Sequence, residues 1–370
     1  MHKTLVTIKS KMKKNFYILM IFVPTLVSAQ PVRSTFSGQV TELDNSIFKK
    51  DKYWRGADGA ASINLGKGRI LWLFSDSIID EKGTGKRANA NTMIRNSVAI
   101  QRGHNLETAD LTFFYKGTNK EPKDFFNLPG DNWFWTGHGT MVNNKLIIFL
   151  FEERSTKTGI GFEAVGWHVA IVDNPKDAPN DWNINYFKGT DTFGVIVGSS
   201  AVLKSDQYIY AYGVKEPSKH RVYLLRFDSN KFMQGDFSNA HWWVDGSWKN
   251  KINKEPIESS LFWGQTEFSV HYDKKFDRYV QIQTFGHGKA SIGYRLSKNP
   301  EGPWSDPVTL YTPALGHPKE FVYTANAHPE LGSDSGLIVT YNVNNGILNE
   351  LITNENIYFP RIVNLAVIDK

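Results

Sequence analysis

The 370-residue sequence contains no cysteine. This absence excludes disulfide bonds, zinc sites built on thiolates and cysteine nucleophiles. The fold must therefore be held together by its apolar core, and an aromatic content of 14% supplies large side chains for one. Beyond the N-terminus, no apolar stretch approaches the roughly 20 residues that a transmembrane helix needs. We therefore expect no membrane span in the mature chain.

Several motifs of catalysis and binding are also absent. The sequence has no glycine-rich phosphate loop, no His-Glu-x-x-His helix, no Gly-x-Ser-x-Gly nucleophile elbow and no loop with EF-hand spacing. We expect no cofactor and no metal site. Aspartate, histidine and asparagine side chains in loops leave a bound calcium ion open as an alternative.

The N-terminus has the three parts of a secretory signal. Lysines between positions 9 and 14 precede the apolar stretch Phe16–Val27, and small residues end at Ala29. We predict a signal peptide over residues 1–29 and an exported protein, periplasmic or extracellular. The net charge is +6, and removal of these residues, which hold five lysines and no acid, leaves +1. A nucleic-acid partner would need a clustered basic face, so we expect none.

The mature chain contains short β-branched and aromatic runs separated by turn-forming residues, and no convincing long helix. Clear examples are Arg69–Phe74, Lys145–Phe151, Tyr208–Tyr212, Tyr279–Gln283 and Leu337–Tyr341. The pattern recurs near 60–100, 137–172, 198–228, 265–297 and 326–367. Five such units predict an all-β fold, a five-bladed β-propeller that residues 30–370 form as a single domain. A large β-sandwich is the alternative.

Two further segments carry structural predictions. We expect the strand Arg361–Ile368 to pair within the blade that contains the N-terminal strand, which would close the ring and shield the sheet edges. The polar, irregular stretch Lys116–Asp131 is expected to form a long loop.

The most specific feature is a hairpin in the first unit. A glycine-flanked turn centred on Lys67 joins two strands, and this register places Leu65 opposite Arg69. Asp58 and Asp76 lie nine residues on either side of Lys67, so they are expected to be opposite or diagonal to each other. Opposed residues of an antiparallel pair have Cβ atoms about 4.5–5.5 Å apart.

Two carboxylates at that separation repel, so one of them should have a raised pKa. Glycoside hydrolysis uses such a pair, in which one carboxyl protonates the leaving oxygen and the other attacks the anomeric carbon or activates water. A separation near ~5 Å favours retention, and ~6.5–9.5 Å favours inversion. We expect Asp58, followed by a glycine, to stay ionised as nucleophile, and Asp76, after an apolar run, to be the acid. The alternative is that each aspartate only ends a strand and caps a turn.

Other motifs accompany the hairpin. They are Trp54–Asp58, Asp76, Arg95–Gln101, Thr266–Ser269, His328-Pro329 and Tyr358–Arg361. Together they resemble the secreted five-bladed propellers of glycoside hydrolase family 183, whose characterised members are endo-D-arabinanases. The resemblance spans most of the mature chain and is strongest at the hairpin. It implies retention, with Asp58 and Asp76 as nucleophile and acid/base in either order, while other pentose or hexose substrates remain open.

Seven more residues are candidates for substrate binding. Aromatic rings offer flat apolar faces to sugars, imidazoles bond to hydroxyls, and arginines pair with carboxylates. The candidates are Arg95, Trp133, Trp135, His138, Glu267, His328 and Arg361. Glu267 is also the best third acid, and one of Glu152 and Glu153 is expected to face the site. The alternatives are core packing for the tryptophans, structural salt bridges for the arginines and structural hydrogen bonds for His328.

These observations favour an exported, monomeric glycoside hydrolase that acts on a polysaccharide or oligosaccharide, and the resemblance implies D-arabinan. A second hypothesis is a non-catalytic glycan-binding propeller, whose aspartates would be turned away or salt-bridged. A third is a propeller enzyme of another sugar chemistry, such as an inverting hydrolase or a phosphorylase. A phosphorylase would need a basic phosphate pocket, and the sequence shows no dense one.

Overall fold

A computed structural model of the chain describes residues 34–90, 92–216, 220–331 and 336–369. The predicted signal peptide, residues 1–29, lies outside these described residues. Within them, no helix has the length and apolar character needed to cross a membrane.

The described part of the chain is built mainly from strands. The first group is β1 (Ser34–Leu43), β2 (Trp54–Gly66), β3 (Arg69–Ile79), β4 (Thr92–Ile94), β5 (Ser97–Arg102), β6 (Asp110–Phe114), β7 (Lys116–Thr118) and β8 (Glu121–Lys123). The second is β9 (Trp133–Val142), β10 (Lys145–Ser155), β11 (Phe162–Val172), β12 (Ile184–Lys188), β13 (Val195–Ser205), β14 (Tyr208–Lys215), β15 (Arg221–Asp228), β16 (His241–Val244), β17 (Ser247–Lys249) and β18 (Phe262–Trp263). The last is β19 (Ser269–Asp273), β20 (Arg278–Phe285), β21 (Ser291–Ser297), β22 (Val308–Tyr311), β23 (Glu320–Ala327), β24 (Gly336–Asn345) and β25 (Arg361–Asp369).

Helical segments in the described residues are short. The α-helices are α1 (Ser229–Phe232) and α2 (Leu348–Thr353), and single 3₁₀ turns occupy Ser46–Phe48, Arg87–Asn89, Pro179–Asp181 and Ile257–Ser259. The Asp228 side chain caps α1 by accepting hydrogen bonds from the two backbone amides at Asn230 and Lys231.

Five antiparallel sheets form a five-bladed β-propeller, which confirms the predicted fold class and rejects the β-sandwich. From the innermost strand outward, the blades are β2-β3-β5-β6, β9-β10-β11-β12, β13-β14-β15-β16-β17, β19-β20-β21-β22 and β23-β24-β25-β1. Each innermost strand contacts the innermost strands of the two neighbouring blades, and so the ring is continuous around its centre.

The ring is closed by the two ends of the described chain. Strand β1 pairs antiparallel with β25, from Thr35 opposite Ile368 to Leu43 opposite Ile362. This confirms the prediction that the C-terminal strand joins the blade that holds the N-terminal strand. Hydrogen bonding along both strands satisfies backbone groups that a free sheet edge would expose.

The core lies between the blades, which explains why β3 is apolar almost throughout. Successive side chains of a strand point to opposite faces. Trp72 and Phe74 pack with Phe359 on the blade 5 side, whereas Leu73 packs with Ile148 of blade 2 on the other side. A strand buried on both faces has a continuous apolar run in place of strict alternation.

The predicted β2–β3 hairpin forms with one change of register at its turn. Gly66 pairs with Arg69, so the connection has two residues, Lys67 and Gly68, and Leu65 is not opposite Arg69 as expected. Both turn residues have positive φ, 55° and 71°. This is the type I′ geometry that matches the twist of the flanking strands.

A β-bulge changes the register again near the aspartates. The residues on either side of Asp58 pair with Ser77 and Phe74 of β3. Asp58 therefore lies opposite the two residues between them, Ser75 and Asp76. The expected placement of the aspartates, opposite or diagonal, agrees with this register. Bulges of this kind re-aim side chains next to functional sites.

The segment Lys116–Asp131 differs from the predicted loop. It begins with the small β7–β8 hairpin, and Phe125 and Phe126 that follow are buried in the core between blades 1 and 2. The loop prediction followed from the polar composition of the stretch and gave no weight to this adjacent aromatic pair, whose burial anchors the segment to the fold.

Candidate active site

Asp58 lies near the start of the innermost strand of blade 1. The hydroxyl of Tyr323, from blade 5, donates a hydrogen bond to Asp58 Oδ2 at 3.2 Å. Asp58 Oδ1 is buried and has no hydrogen-bond partner among the described residues. A buried unpaired oxygen is costly unless a ligand supplies its partner. The next two residues, Gly59 and Ala60, have φ of 89° and 72°, a backbone geometry that is strained for alanine and typical of functional sites.

Asp76 lies on the neighbouring strand and is surrounded by hydrogen-bond donors. Trp135 Nε1 donates to Asp76 Oδ1 at 2.8 Å, and an Arg95 guanidinium nitrogen lies 3.3 Å from Oδ2. The Tyr358 hydroxyl donates to the backbone carbonyl oxygen of Asp76 at 3.1 Å. The Asp76 side chain remains 15% exposed. Donors from blades 2 and 5 therefore fix both the carboxylate and the backbone of Asp76.

A cavity of about 350 Å³ opens at the end of the propeller where the innermost strands begin. Its wall includes the carboxyl groups of Asp58 and Glu267, the hydroxyl-bearing Tyr323, and the rings of Trp135, Phe162 and Phe321. Asp76 is not part of this wall and lies next to it, bonded to the indole of Trp135. Apolar faces with a few convergent polar groups are typical of small-molecule sites.

The two aspartates have different electrostatic environments. Burial, with the nearby charges of Asp76 and Glu267, raises the pKa of Asp58 well above its usual value. Burial also raises the pKa of Asp76, but the hydrogen bond from Trp135 and the charge of Arg95 oppose that rise. This order is the reverse of the sequence-based expectation. The donors that stabilise the Asp76 carboxylate come from distant parts of the chain, which local neighbours in the sequence do not reveal.

Glu267 is a third acid at the cavity. It precedes β19 and lines the cavity opposite the paired strands of blade 1. Burial raises its pKa to about 8. The carboxyl group is therefore protonated at neutral pH, and it can both donate and accept a hydrogen bond.

A second cavity of about 430 Å³, here called the adjoining cavity, continues from the first. The two cavities share the wall residues Trp135, Phe151, Ile160, Phe162 and Thr266. The adjoining cavity adds the acids Glu153, Glu163 and Glu216 and the imidazole of His220. Glu153 lines the adjoining cavity, whereas Glu152 lines neither cavity and pairs with His168 at 2.9 Å.

Five of the predicted site residues gather around the first cavity. Asp58, Trp135 and Glu267 lie on its wall, and Asp76 and Arg95 form an ion pair beside it. Trp133 does not line the cavity. It is buried, and its ring lies under the Arg95 guanidinium, with 4.3 Å between the guanidinium carbon and the ring centroid. Trp133 therefore positions Arg95 by a cation–π contact.

Three predicted residues are not at the cavity. His328 is fully buried, its ring nitrogens bond to the hydroxyls of Ser62 and Thr340, and it has a structural role. Arg361 donates to the carbonyl oxygen of Asn356 and lines a separate cavity. His138 lies on β9 and lines neither cavity, and burial lowers its pKa to about 4.

The structure also shows site residues that the sequence did not single out. Tyr323 bonds to Asp58 from a position 265 residues away, and Phe321 and Asn344 complete that side of the wall. No local sequence pattern could have indicated them, since only the closed ring brings blade 5 next to blade 1. Tyr358 lay within one of the resembling motifs, but its role as a donor was not anticipated. Among the described residues, no cluster of three or more potential metal ligands occurs.

The arrangement combines complementary chemical properties. Burial and neighbouring acids raise the pKa of Asp58 well above its usual value, Trp135 and Arg95 stabilise the Asp76 carboxylate, and aromatic rings line the space beside them. Two titratable groups whose environments separate their pKa values can act as acid and base in one reaction. Fold and site thus define a five-bladed propeller with an acid-lined cavity at one end of its innermost strands.

The chain belongs to the family described as "Domain of unknown function (DUF5005)", whose model matches residues 42–366. No curated protein matches the chain. A Bacteroides ovatus ATCC 8483 protein described as a candidate hydrolase has a crystal structure that is 20% identical, with 90% of this chain and 92% of that chain covered and a TM-score of 0.71. At this identity, the similarity supports the propeller fold alone.

Two other solved structures are more distant. The GH43_1 enzyme from Xanthomonas citri, complexed with xylotriose, is 12% identical over 89% of this chain and 90% of that chain, with a TM-score of 0.46. An alpha-L-arabinofuranosidase from Lactobacillus brevis is 14% identical over 87% and 94%, with a TM-score of 0.47. At these scores neither similarity assigns an activity to this chain.

Proposed function

We propose that this protein is an exported glycoside hydrolase whose acid pair, Asp58 and Asp76, acts on a sugar bound in the cavity of about 350 Å³. The observation that carries the proposal is the contrast between the two aspartates. Asp58 presents an unpaired oxygen and has a pKa raised well above its usual value, whereas Asp76, one strand away, is stabilised as a carboxylate by Trp135 and Arg95. A glycosidase needs one carboxyl group that can donate a proton and one that is ionised.

The geometry supports a division of work between the two residues. Asp58 donates its proton to the glycosidic oxygen as the bond to the anomeric carbon breaks, and Asp76 attacks that carbon to form a covalent ester. Asp58, now ionised, then takes a proton from water, whose oxygen displaces Asp76. Glu267 is placed to hydrogen-bond a sugar hydroxyl on the same wall.

The finer features of the proposal rest on the resemblance to endo-D-arabinanases. It supports D-arabinan as the substrate, cleavage within the chain and retention of anomeric configuration. Export rests on the N-terminal signal. Recovery of mature protein beginning at Gln30 outside the cytoplasm of an expressing cell would support it, and an intact N-terminus in the cytoplasm would contradict it.

The direct test is sugar release from a panel of polysaccharides, with D-arabinan and L-arabinan side by side. Asp58→Asn and Asp76→Asn are compared with the wild type after thermal unfolding has shown that both variants fold. We expect D-arabinan to yield oligosaccharides and each variant to lose at least about a hundredfold in rate. Cleavage of another glycan that still depends on both aspartates would support the mechanism and reject D-arabinan as the substrate. No cleavage, or fully active variants, would reject the hydrolase.

One observation favours a second function, glycan binding without catalysis. Asp76 is ion-paired with Arg95, which is the feature expected of a site that only binds. The same panel separates the two functions. A binding protein would show heat of binding when it is titrated with oligosaccharides and would release no sugar over long incubation. A hydrolase would cleave the added oligosaccharides.

A further inference from the structure

Glu153 occupies an unusual position that the proposed catalytic steps do not use. It lies near the end of β10, is only 2% exposed, and forms part of the wall of the adjoining cavity. Its Oε2 atom has no hydrogen-bond partner among the described residues. A buried carboxyl oxygen without a partner costs free energy that a bound ligand can recover. Glu153 therefore marks the adjoining cavity as a binding site.

The groups that face Glu153 show what kind of ligand fits. The nearby charges are the acids Glu216, Asp76 and Glu163, which together with burial raise the pKa of Glu153 to about 8. On the described wall of the adjoining cavity, His220 is the only basic side chain, and it lies 3.5 Å from Glu216. Among the described residues of this wall, no basic side chain is free of an acidic partner to bind an anionic ligand. A protonated Glu153 can donate to and accept from a neutral hydroxyl.

Apolar surfaces connect this site to the first cavity. Trp135 and Phe162 line both cavities, as does Ile160, whose side chain is 78% exposed on the loop between β10 and β11. Thr266 also belongs to both walls and donates its hydroxyl to Glu216 at 2.5 Å. A sugar chain seated at Asp58 can therefore continue along one apolar strip into the adjoining cavity.

We propose that the adjoining cavity is a second sugar subsite, in which the Glu153 carboxyl hydrogen-bonds a hydroxyl of the unit next to the one at Asp58. The substrate is then a neutral glycan of at least two units, since an anionic sugar would meet three acids on the described wall, where the one basic side chain, His220, is next to Glu216. This inference rests on the proposed hydrolase function and adds a substrate class to it.

The test measures kcat/KM as a function of chain length. The probes are D-arabinofuranose oligosaccharides of two to six units and the one-unit p-nitrophenyl α-D-arabinofuranoside. Should the polysaccharide panel identify another neutral glycan, its own oligosaccharides and one-unit aryl glycoside serve instead. We expect Glu153→Ala to lower kcat/KM on the oligosaccharides about five- to tenfold, as for loss of one hydrogen bond, with little change on the one-unit probe. Glu153→Gln, which retains a donor and an acceptor, should preserve the oligosaccharide rate.

Glu152→Ala is the matched control. It is the adjacent residue on β10, pairs with His168 and is absent from both cavity walls. We expect it to change the one-unit and oligosaccharide rates by the same factor. An equal change of both rates in Glu153→Ala would overturn the subsite while leaving the hydrolase function intact.

Two further measurements test the subsite through its dependence on pH and on the charge of the substrate. The ratio of oligosaccharide to one-unit kcat/KM should fall as pH rises through about 8, because Glu153 loses its proton, and Glu153→Gln should abolish that fall. Oligosaccharides whose primary hydroxyls are oxidised to carboxylates should react at least tenfold more slowly than the neutral ones. Equal rates for the two forms would overturn the neutral-substrate inference. Absence of both cleavage and calorimetric binding for every probe would reject the hydrolase function itself and the subsite with it.

Discussion

The indole nitrogen of Trp135 donates a 2.8 Å hydrogen bond to Asp76 Oδ1, joining blade 2 to blade 1. The same indole ring forms part of the cavity wall. One side chain therefore orients the carboxylate proposed as nucleophile and also lines the cavity proposed to bind the sugar. Because the two roles use different parts of the side chain, they can be separated by substitution.

Trp135→Phe removes the hydrogen bond and keeps an aromatic ring on the wall. Hydrogen bonds to charged groups contribute about 1.5–3 kcal/mol, so we expect kcat to fall about ten- to a hundredfold with a smaller change in KM. Loss of the donor also raises the pKa of Asp76. The acidic limb of the pH profile of kcat/KM should therefore move to higher pH.

Trp304→Phe is the control for that experiment. The Trp304 indole nitrogen has no hydrogen-bond partner among the described residues, and its ring packs against Phe262 away from the site. We expect an unchanged pH profile. An identical profile in Trp135→Phe would show that the Trp135–Asp76 hydrogen bond does not affect the reaction.

Tyr323→Phe removes the donor that bonds to Asp58 Oδ2. This hydrogen bond favours the ionised form of Asp58, so its loss should raise the pKa of Asp58 further. If Asp58 is the proton donor, the basic limb of kcat/KM moves to higher pH, by up to about one unit for a bond of ~1 kcal/mol. A shift of the acidic limb would assign Asp58 the opposite role.

Glu267→Gln should make stability less dependent on pH. The folded chain holds the Glu267 proton up to about pH 8, whereas the unfolded chain loses it near the ordinary glutamate pKa of about 4.3. Between those values the unfolded state binds fewer protons, so the free energy of unfolding falls as pH rises. We expect Glu267→Gln to raise Tm at pH 8 and leave it unchanged at pH 4. The exposed Glu107→Gln should shift neither, and a larger gain at pH 4 would contradict the assignment.

Phe36→Ala should weaken the closure of the ring. Phe36 of β1 is buried against the rings of Phe276 and Tyr294, whose centroids lie 4.9 and 4.7 Å away. Truncation of a buried phenylalanine costs about 3–5 kcal/mol, measurable by urea unfolding. Ile368→Ala on the paired strand is 49% exposed and should cost about 0.5 kcal/mol or less. A loss in Phe36→Ala as small as that expected for Ile368→Ala would show that the packing of β1 does not stabilise the closed ring.

Local patterns in the sequence predicted the parts of the structure that local interactions determine. The turn at Lys67 and the proximity of Asp58 to Asp76 follow from one hairpin, and the final strand follows from its apolar run. Trp135 and Glu267, which the sequence predicts as substrate-binding residues, both lie on the wall of the cavity with Asp58.

The acid roles and the outlying residues could not be derived in the same way. The pKa of Asp76 depends on donors from other blades, and the sequence around Asp76 contains only the apolar run that suggested the opposite role. His328 and Arg361 belong to motifs that predicted a place at the site, but neither lines the first cavity. His328 is buried and Arg361 lines a separate cavity, because burial and side-chain direction depend on the packed ring. Contacts such as Tyr323 to Asp58 exist only after ring closure.

The measurement that most directly tests the catalytic pair is the dependence of rate on the leaving group. A 2,4-dinitrophenyl glycoside of the preferred sugar needs no proton for departure, whereas a natural glycan does. In kcat/KM, which reports the first bond cleavage, Asp58→Asn should lose about 10²–10⁴-fold on the glycan and keep most of the value on the dinitrophenyl substrate, while Asp76→Asn should lose both. The kcat of Asp58→Asn on the dinitrophenyl substrate should fall, because Asp58 also takes the proton from water in the second step. Equal losses of kcat/KM in Asp58→Asn on the two substrates would contradict its role as proton donor, and full activity of Asp76→Asn would exclude it as nucleophile.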